Sequence, residues 1–250
     1  MSNTNVALHV EGPQATITFN SEKGINVLST EVMKSLKDVV GEVLTDTAIR
    51  TTVFRADGKV FIAGANIKEM VDYNADKARE YGLLGESVFD NIAALPSITV
   101  AAISGAALGG GLELALACDF RIAFREATLG LPEVTLGLIP GWGGIRRLTS
   151  LVGPAAAKRL FLGGGTIGAE EGFRLGLIDE TVHAATDLTP RVNDFCKRFV
   201  KAAPTAVALA KRAARDGDAL GAFADCFTTA DSHEGMSAFL ERRKASWMGE

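Results

Sequence analysis

Long apolar runs are missing from this chain. The most hydrophobic stretches, near residues 93–107 and 112–117, are interrupted by proline, serine, glycine or glutamate. They fall short of the roughly 18–20 residues that a membrane-crossing helix requires. The opening Met1-Ser-Asn-Thr-Asn has neither the basic nor the apolar part of a secretory leader, so a cytoplasmic location is expected. Cysteine is scarce: Cys118, Cys196 and Cys226 lie far apart with no CxxC spacing. They are expected to be reduced, mostly buried thiols. Histidine is scarcer in effect, because His9, His183 and His233 are scattered. No metal-ligand spacing and no Ser-His-Asp arrangement is legible, so no metal is expected. Neither sign of charge dominates, and the net charge is -4. That gives no broad electrostatic case for nucleic acid or for an anionic membrane. An anionic ligand would need a local group of Lys and Arg.

What remains is an ordinary globular composition, 47% hydrophobic and 22% charged over 250 residues. One large domain, or a main domain with a small appendage, is expected. Residues 6–19 read as a β-hairpin around Glu11-Gly-Pro-Gln. Ser29 or Thr30 can cap a helix over 31–43, with Val32, Leu36, Val39, Val40 and Val43 on one face. A strand follows at 51–54, a small-residue loop at 61–66, and helices from Ile67 and over 78–94, the latter ending before Pro96. Residues 98–103 read as a buried strand, 112–117 as a helix opened by Gly109-Gly-Gly, and 120–124 as another strand. Helices are expected at 145–151, 154–162 and 169–174, then only helices at 191–203, 205–215, 219–229 and 233–244. This predicts an α/β core over 1–190 and a helical module over 191–250.

Two glycine-containing loops each precede a helix: Phe61-Ile-Ala-Gly-Ala-Asn-Ile-Lys-Glu-Met and Ser104-Gly-Ala-Ala-Leu-Gly-Gly-Gly-Leu-Glu-Leu-Ala. A helix start leaves N–H groups without internal partners and carries partial positive charge. Glycine lets another group approach the backbone. Two such loops facing each other would make an oxyanion hole; tight packing at plain helix starts accounts for glycine alone equally well. Glu113 adds a chemical signal, because it sits in the first helical turn among Leu112, Leu114, Ala115 and Leu116. It either favours the helix dipole from a solvated position, or it is a buried carboxyl whose ionisation its surroundings set. Glu133, in Gly130-Leu-Pro-Glu, is by itself an ordinary loop glutamate.

Taken in order, Ala63-Gly-Ala-Asn-Ile-Lys, Ala107-Leu-Gly-Gly-Gly-Leu-Glu, Cys118-Asp-Phe-Arg-Ile-Ala, Leu131-Pro-Glu, Gly137-Leu-Ile-Pro-Gly-Trp-Gly-Gly and Leu175-Gly-Leu-Ile-Asp resemble the crotonase (enoyl-CoA hydratase/isomerase) family. The ending Glu234-Gly-Met-Ser-Ala-Phe-Leu-Glu-Arg-Arg-Lys is similar to that family's last helix. The resemblance covers nearly the whole chain. It implies an α/β fold, the crotonase-type spiral of repeated ββα units with a C-terminal helical module.

The resemblance further implies that Ala65 and Gly110 donate oxyanion N–H groups and that Glu113 and Glu133 are the acid/base pair of a 2-enoyl-CoA hydratase. Gly141 matches a loop glycine beside the acyl group. Ala63 and the segment Ala65, Asn66, Ile67, Lys68 match contacts to coenzyme A, and Lys23 and Ile25 join this substrate-binding set. Phe239 and Arg242 match positions that reach coenzyme A on a neighbouring subunit. Lys23, Lys68 and Arg242 are candidates for the CoA phosphates, with solvated surface charge the alternative. Asn66 departs from the family, where Asp is usual; it keeps an acceptor but loses the charge.

The implied partners are an acyl-CoA thioester and further copies of the chain, as a trimer or a dimer of trimers, with no nucleic acid or membrane. No cofactor is implied beyond the coenzyme A of the substrate. A Δ3-Δ2-enoyl-CoA isomerase, another acyl-CoA lyase and an RNA-binding relative are the alternatives. Gly163-Gly-Gly-Thr-Ile-Gly fits GxGxxG, but a helix precedes it instead of a strand. The glycines are expected to end one helix and start another.

Overall fold

After an opening hairpin, three successive strand pairs each send their first strand into one sheet and their second into another. The computed structural model describes residues 4–249; Met1–Asn3, part of the segment read above for a leader, and Glu250 lie outside the described residues. The first sheet takes β1 (Thr4–Glu11), β2 (Gln14–Ser21), β3 (Thr51–Ala56), β5 (Ile98–Ile103), β7 (Phe120–Phe124) and β10 (Glu180–Val182), in the order β1-β2-β3-β5-β7-β10. Only the β1–β2 hairpin is antiparallel in it. The second sheet takes four three-residue strands: β4 (Val60–Ile62), β6 (Ala106–Leu108), β8 (Thr128–Gly130) and β9 (Thr166–Gly168), in the order β4-β6-β8-β9. Here β4, β6 and β8 run parallel and β9 returns antiparallel to β8.

The helices follow from local chemistry. Ser29 caps α1 (Thr30–Thr45) by accepting from the Val32 amide, and the predicted apolar face is the buried one. The short α2 (Ile67–Met70) leads to α3 (Ala75–Ala94), which Asn74 caps by accepting from the Lys77 amide. In α4 (Gly110–Ala117) every residue is buried, as a helix apolar on all sides requires. A short 3-10 turn spans Glu133–Leu136. The two helices expected at 145–162 form one run, α5 (Gly144–Gly163), kinked where Gly153 takes φ +77° before Pro154. Gly164 ends it in the left-handed region, and Gly168 precedes α6 (Ala169–Arg174). Four more α-helices follow among the described residues: α7 (Leu188–Lys197), α8 (Pro204–Asp216), α9 (Ala219–Cys226) and α10 (Ala230–Leu240).

All six residues of β5 are buried, and alternation divides them between two cores. Ala101 and Ile103 join the main core with α1, α3 and α4. Ile98, Val100 and Ala102 meet Val192, Phe195 and Cys196 of α7. Each fully buried Leu, Ile, Val or Phe contributes about 1.5–3 kcal/mol to such a core. Cys118 and Cys196 are buried free thiols and Cys226 is partly buried.

Several boundaries differ from those expected. Residues 60–62, overlapping the start of the expected loop, 106–108, within the glycine-rich passage, and 166–168 are strands; three residues cannot show a period-two pattern. The helix expected at 191–203 is Leu188–Lys197, and that expected at 233–244 is Ala230–Leu240. The second shift arises because the Thr229 side chain accepts from the Ser232 amide, and because Arg242 turns to φ +56°. No helix among the described residues is long and apolar enough to cross a membrane.

Candidate functional site

The carboxyl ends of three adjacent parallel strands deliver the site. Strand β4 runs into Ala63-Gly64-Ala65, β6 into Gly109-Gly110, and β8 into Leu131-Pro132-Glu133. Neighbouring strands lie about 4.8 Å apart, so these loops are side by side. The Gly109 amide donates to the Gly130 carbonyl at 2.9 Å, fixing the second loop to the third. A Cβ on Gly64 would stand 4.0 Å from the Gly110 nitrogen, which places the first loop against the second.

Two amides at these loops are the candidate oxyanion donors. Leu28 forms a parallel bridge with Ala65 through its neighbours: the Leu28 amide donates to the Gly64 carbonyl, and the Asn66 amide donates to the Leu28 carbonyl, both at 2.9 Å. In that pattern the Ala65 amide faces away from Leu28. Gly110 is the first residue of α4, so its amide has no intrahelical acceptor and lies at the positive end of the helix.

The two carboxyls come from different directions. Glu113 rises from the first turn of α4 and is only 2% exposed. Its Oε1 accepts from the amides of Trp142 and Gly144, each at 2.8 Å. Burial pushes this carboxyl up to about 7, against the opposing pull of the Gly144 and Trp142 amides. Glu133 opens the 3-10 turn after β8, and burial pushes its carboxyl above the ordinary range as well. Its Oε1 lies 3.0 Å from where a Cβ on Gly109 would stand, so glycine there keeps the carboxyl beside the second loop. Its Oε2 is buried with no hydrogen-bond partner among the described residues.

These groups share a cavity of about 340 Å³. Of the residues singled out in the sequence, Ala63, Ala65, Ile67, Gly110, Glu113, Glu133 and Gly141 line it. Lys23, Ile25, Asn66, Lys68, Phe239 and Arg242 do not. Lys23, Lys68 and Arg242 are exposed, Ile25 is 48% exposed and Phe239 82% exposed. Asn66 holds the N-cap position of α2 without a side-chain capping bond.

The walls contain residues that sequence reasoning passed over, chiefly Tyr81, Trp142 and the exposed pair Leu138 and Ile139. Trp142 stands edge-on to Tyr81 (centroids 5.2 Å apart, 78°) and to Phe89 (5.6 Å, 90°). The Tyr81 hydroxyl donates to the Leu28 carbonyl, which ties α3 to the strand segment bridging Ala65. The signal for Trp142 was present as Gly141-Trp-Gly-Gly, where small neighbours leave room for one large ring. Among the described residues no group of His, Cys, Asp and Glu has the makings of a metal centre.

Asp119 and Arg121 have structural partners. Arg121 is 4% exposed and donates to the carbonyls of Cys118 and Leu177, with Asp179 as its ion-pair partner. Asp119 accepts from Thr99 and from Lys211 of α8.

Similarity to known proteins runs along nearly the whole chain. Residues 11–250 match the family described as enoyl-CoA hydratase/isomerase. A crotonyl-CoA hydratase of Syntrophomonas wolfei subsp. wolfei is 41% identical over 261 aligned residues, covering 100% of both chains. A short-chain-enoyl-CoA hydratase of Clostridium acetobutylicum is 39% identical, covering 98% of this chain and 97% of that one. The crystal structure of an enoyl-CoA hydratase from Bacillus anthracis superposes with a TM-score of 0.91 at 33% identity, covering 98% of this chain and 100% of that one. The ββα spiral with its helical ending is thus the crotonase fold, and the chain belongs to the enoyl-CoA hydratase/isomerase family.

Proposed function

We propose that this protein is an enoyl-CoA hydratase, adding water syn across the double bond of short 2-enoyl-CoA thioesters to give 3-hydroxyacyl-CoA. The observation that carries the proposal is the placement of Glu113 and Glu133 in one cavity beside the amides of Ala65 and Gly110. The thioester carbonyl accepts from those two amides. As water attacks the β-carbon, charge moves onto that oxygen, and the donors stabilise the enolate more than the ground state. Each donor of this kind is worth about 3–4 kcal/mol, and the α4 dipole acts in the same direction.

Glu113 is the ionised partner. Two amides already point at its Oε1, which favours the carboxylate, and it takes a proton from the attacking water. Glu133 is the protonated partner. Burial favours its neutral form, and it gives its proton to the α-carbon as the enolate collapses. The pair titrates as a unit. The names of the relatives from S. wolfei and C. acetobutylicum and the modest cavity support a short acyl group.

The proposal extends to the outer contacts. Ala63, Asn66, Ile67 and Lys68 meet the CoA moiety together with Lys23 and Ile25, and Gly141 lies beside the acyl group. Residues 1–190 carry this site. Residues 191–250 carry contacts between copies in a trimer or dimer of trimers, bringing Phe239 and Arg242 to a neighbour's CoA.

Loss of absorbance of crotonyl-CoA tests the reading. Glu113→Gln and Glu133→Gln are each expected to lower kcat by roughly 10²–10⁴-fold. Near-wild-type hydration by both variants would overturn the two-carboxylate mechanism. A protein that converts 3-enoyl but not 2-enoyl thioesters would be an isomerase instead.

A further inference from the structure

The tripeptide that grips Glu113 is itself held from behind by one side chain. Three successive peptide groups run through Trp142, Gly143 and Gly144. The outer two turn their N–H groups, those of Trp142 and Gly144, onto Glu113 Oε1 at 2.8 Å each. The middle one presents its carbonyl, that of Trp142, to the Arg147 guanidinium, whose Nη1 donates at 2.8 Å. The main-chain amide of Arg147 donates at 3.0 Å to the Gly143 carbonyl, the other end of the peptide whose N–H meets Glu113. One residue therefore fixes two consecutive peptide planes.

The arrangement is built to hold the guanidinium. Gly143 has φ +89°, and a Cβ there would stand 2.5 Å from Arg147 Nη1. Only glycine satisfies both conditions. The Arg147 side chain is 9% exposed, and its Nη2 pairs with Asp90 of α3, which Arg146 also contacts at the exposed edge. The next residue back on α3, Phe89, packs against the Trp142 ring.

We propose that Arg147 is a positioning residue for the hydration step, orienting the Trp142–Gly144 amides that aim and hold the Glu113 carboxylate. This rests on the reading of Glu113 as the water-activating group. Arg147 does not line the cavity, so it acts through the tripeptide and not on substrate. Loss of its charge and of the two aimed amides would both favour protonated Glu113. The charged groups facing Glu113 are Glu133 from the 3-10 turn and Arg147 from α5. Those facing Arg147 are Asp90 and Glu86 from α3, Arg146, and Glu113 itself. A change confined to Arg147 therefore has a signed effect.

The test uses the full chain with crotonyl-CoA and compares Arg147→Met, Arg147→Lys and Glu113→Gln. Arg147→Met is expected to lower kcat on the order of 10–100-fold, with KM within about twofold. It should also move the acid limb of the kcat–pH profile to higher pH. Arg147→Lys, which can hold one partner but not the fork of two, should fall between. Unchanged kcat and an unmoved limb, with Glu113→Gln inactive, would overturn the inference and leave the hydratase reading intact. A fall in kcat without movement of the limb would assign Arg147 a packing role only, and also overturns it. Near-wild-type hydration by Glu113→Gln would instead sink the reading of Glu113 as the water-activating group, and no hydration by the wild type would sink the hydratase reading itself. Circular dichroism identifies a misfolded Arg147→Met, in which case Arg147→Lys is judged by the same two outcomes.

Discussion

Gly110 and Trp142 approach so closely that a Cβ on Gly110 would stand 2.3 Å from Cζ3 of the indole. The opposite side of the same ring meets Gly85 of α3, where a Cβ would stand 2.2 Å from Nε1. The indole is thus wedged between two helices with no spare volume. Its main-chain nitrogen grips Glu113, while Gly110 presents a candidate oxyanion amide. Packing and chemistry are joined in one ring.

Gly110→Ala follows from that contact. The added methyl must displace Trp142 or lift the start of α4, and overpacking of this kind costs about 1–3 kcal/mol. For a chain of this size that lowers Tm by roughly 2–12 °C. Crotonyl-CoA turnover should fall by at least about 100-fold, the worth of a misplaced oxyanion donor. Gly110→Ala combined with Trp142→Val should recover part of the Tm but not the turnover. Full recovery of activity in the double variant would mean that the amide of Gly110 is not used.

A buried aspartate ties down the end of the chain. Asp231, 1% exposed at the start of α10, accepts from the amides of Met248 (2.8 Å) and Gly249 (3.1 Å) and from the Thr205 hydroxyl (3.0 Å). Burial alone would raise its carboxyl, but the hydrogen bonds from Gly249, Met248 and Thr205 outweigh it and hold it below the ordinary value. The stability it gives is therefore present at neutral pH and is lost only as pH falls through that lowered value. Asp231→Ala should cost roughly 1.5–3 kcal/mol and free residues 245–249. Trypsin should then cut after Arg243 or Lys244 much faster than in the wild type. Equal cleavage rates would show that the tail is anchored elsewhere.

The legible parts of the site were those whose chemistry contradicted their surroundings. Glu113 stood out because a carboxyl among apolar neighbours in a helix's first turn is costly to bury, whereas the glycine triplet gained meaning only from its place in the ordered set of family motifs. The hidden parts are relationships across long separations. Trp142 matters through Gly85 and Gly110, and Arg147 through the carbonyl of Trp142 and the carboxylate of Asp90; none of these pairs has a local pattern. The large sheet was readable because β2 alternates over eight residues and β3, β5 and β7 carry five or six mostly buried ones. The second sheet escaped because its strands have three residues each, yet its parallel register is what aligns Ala65, Gly110 and Glu133.

The C-terminal helices expose more apolar surface than a lone chain needs. Leu220 is 80% exposed, Phe223 62%, Phe239 82% and Leu240 80%. With further copies as the proposed partners, Phe239→Asp should shift sedimentation from trimer or hexamer toward monomer. The KM for crotonyl-CoA should rise in the same variant, because Phe239 is proposed to reach a neighbour's CoA. An unchanged sedimentation coefficient together with an unchanged KM would remove Phe239 from both roles.

Glu113 also sets a pH-dependent cost on the fold. Its carboxyl titrates near 7 in the folded chain against an ordinary 4.5, so the native state binds the proton more tightly than the unfolded state. Its contribution is therefore most favourable below about pH 4.5 and is lost as pH rises toward 7. The full loss above pH 7 is about 3 kcal/mol. Gln at this position accepts the Trp142 and Gly144 amides through its carbonyl oxygen and carries no charge to desolvate. Glu113→Gln should therefore match the wild-type Tm near pH 4 and exceed it at pH 8 by roughly 6–12 °C, while losing turnover at both. Glu133, raised in the same direction, remains in both proteins, so the difference isolates Glu113 and its coupling to that partner. A Tm difference that stays constant from pH 4 to 8 would show that Glu113 is ionised no less easily in the folded chain than in the unfolded one, and the carboxylate would then need no help from Arg147 to stay charged.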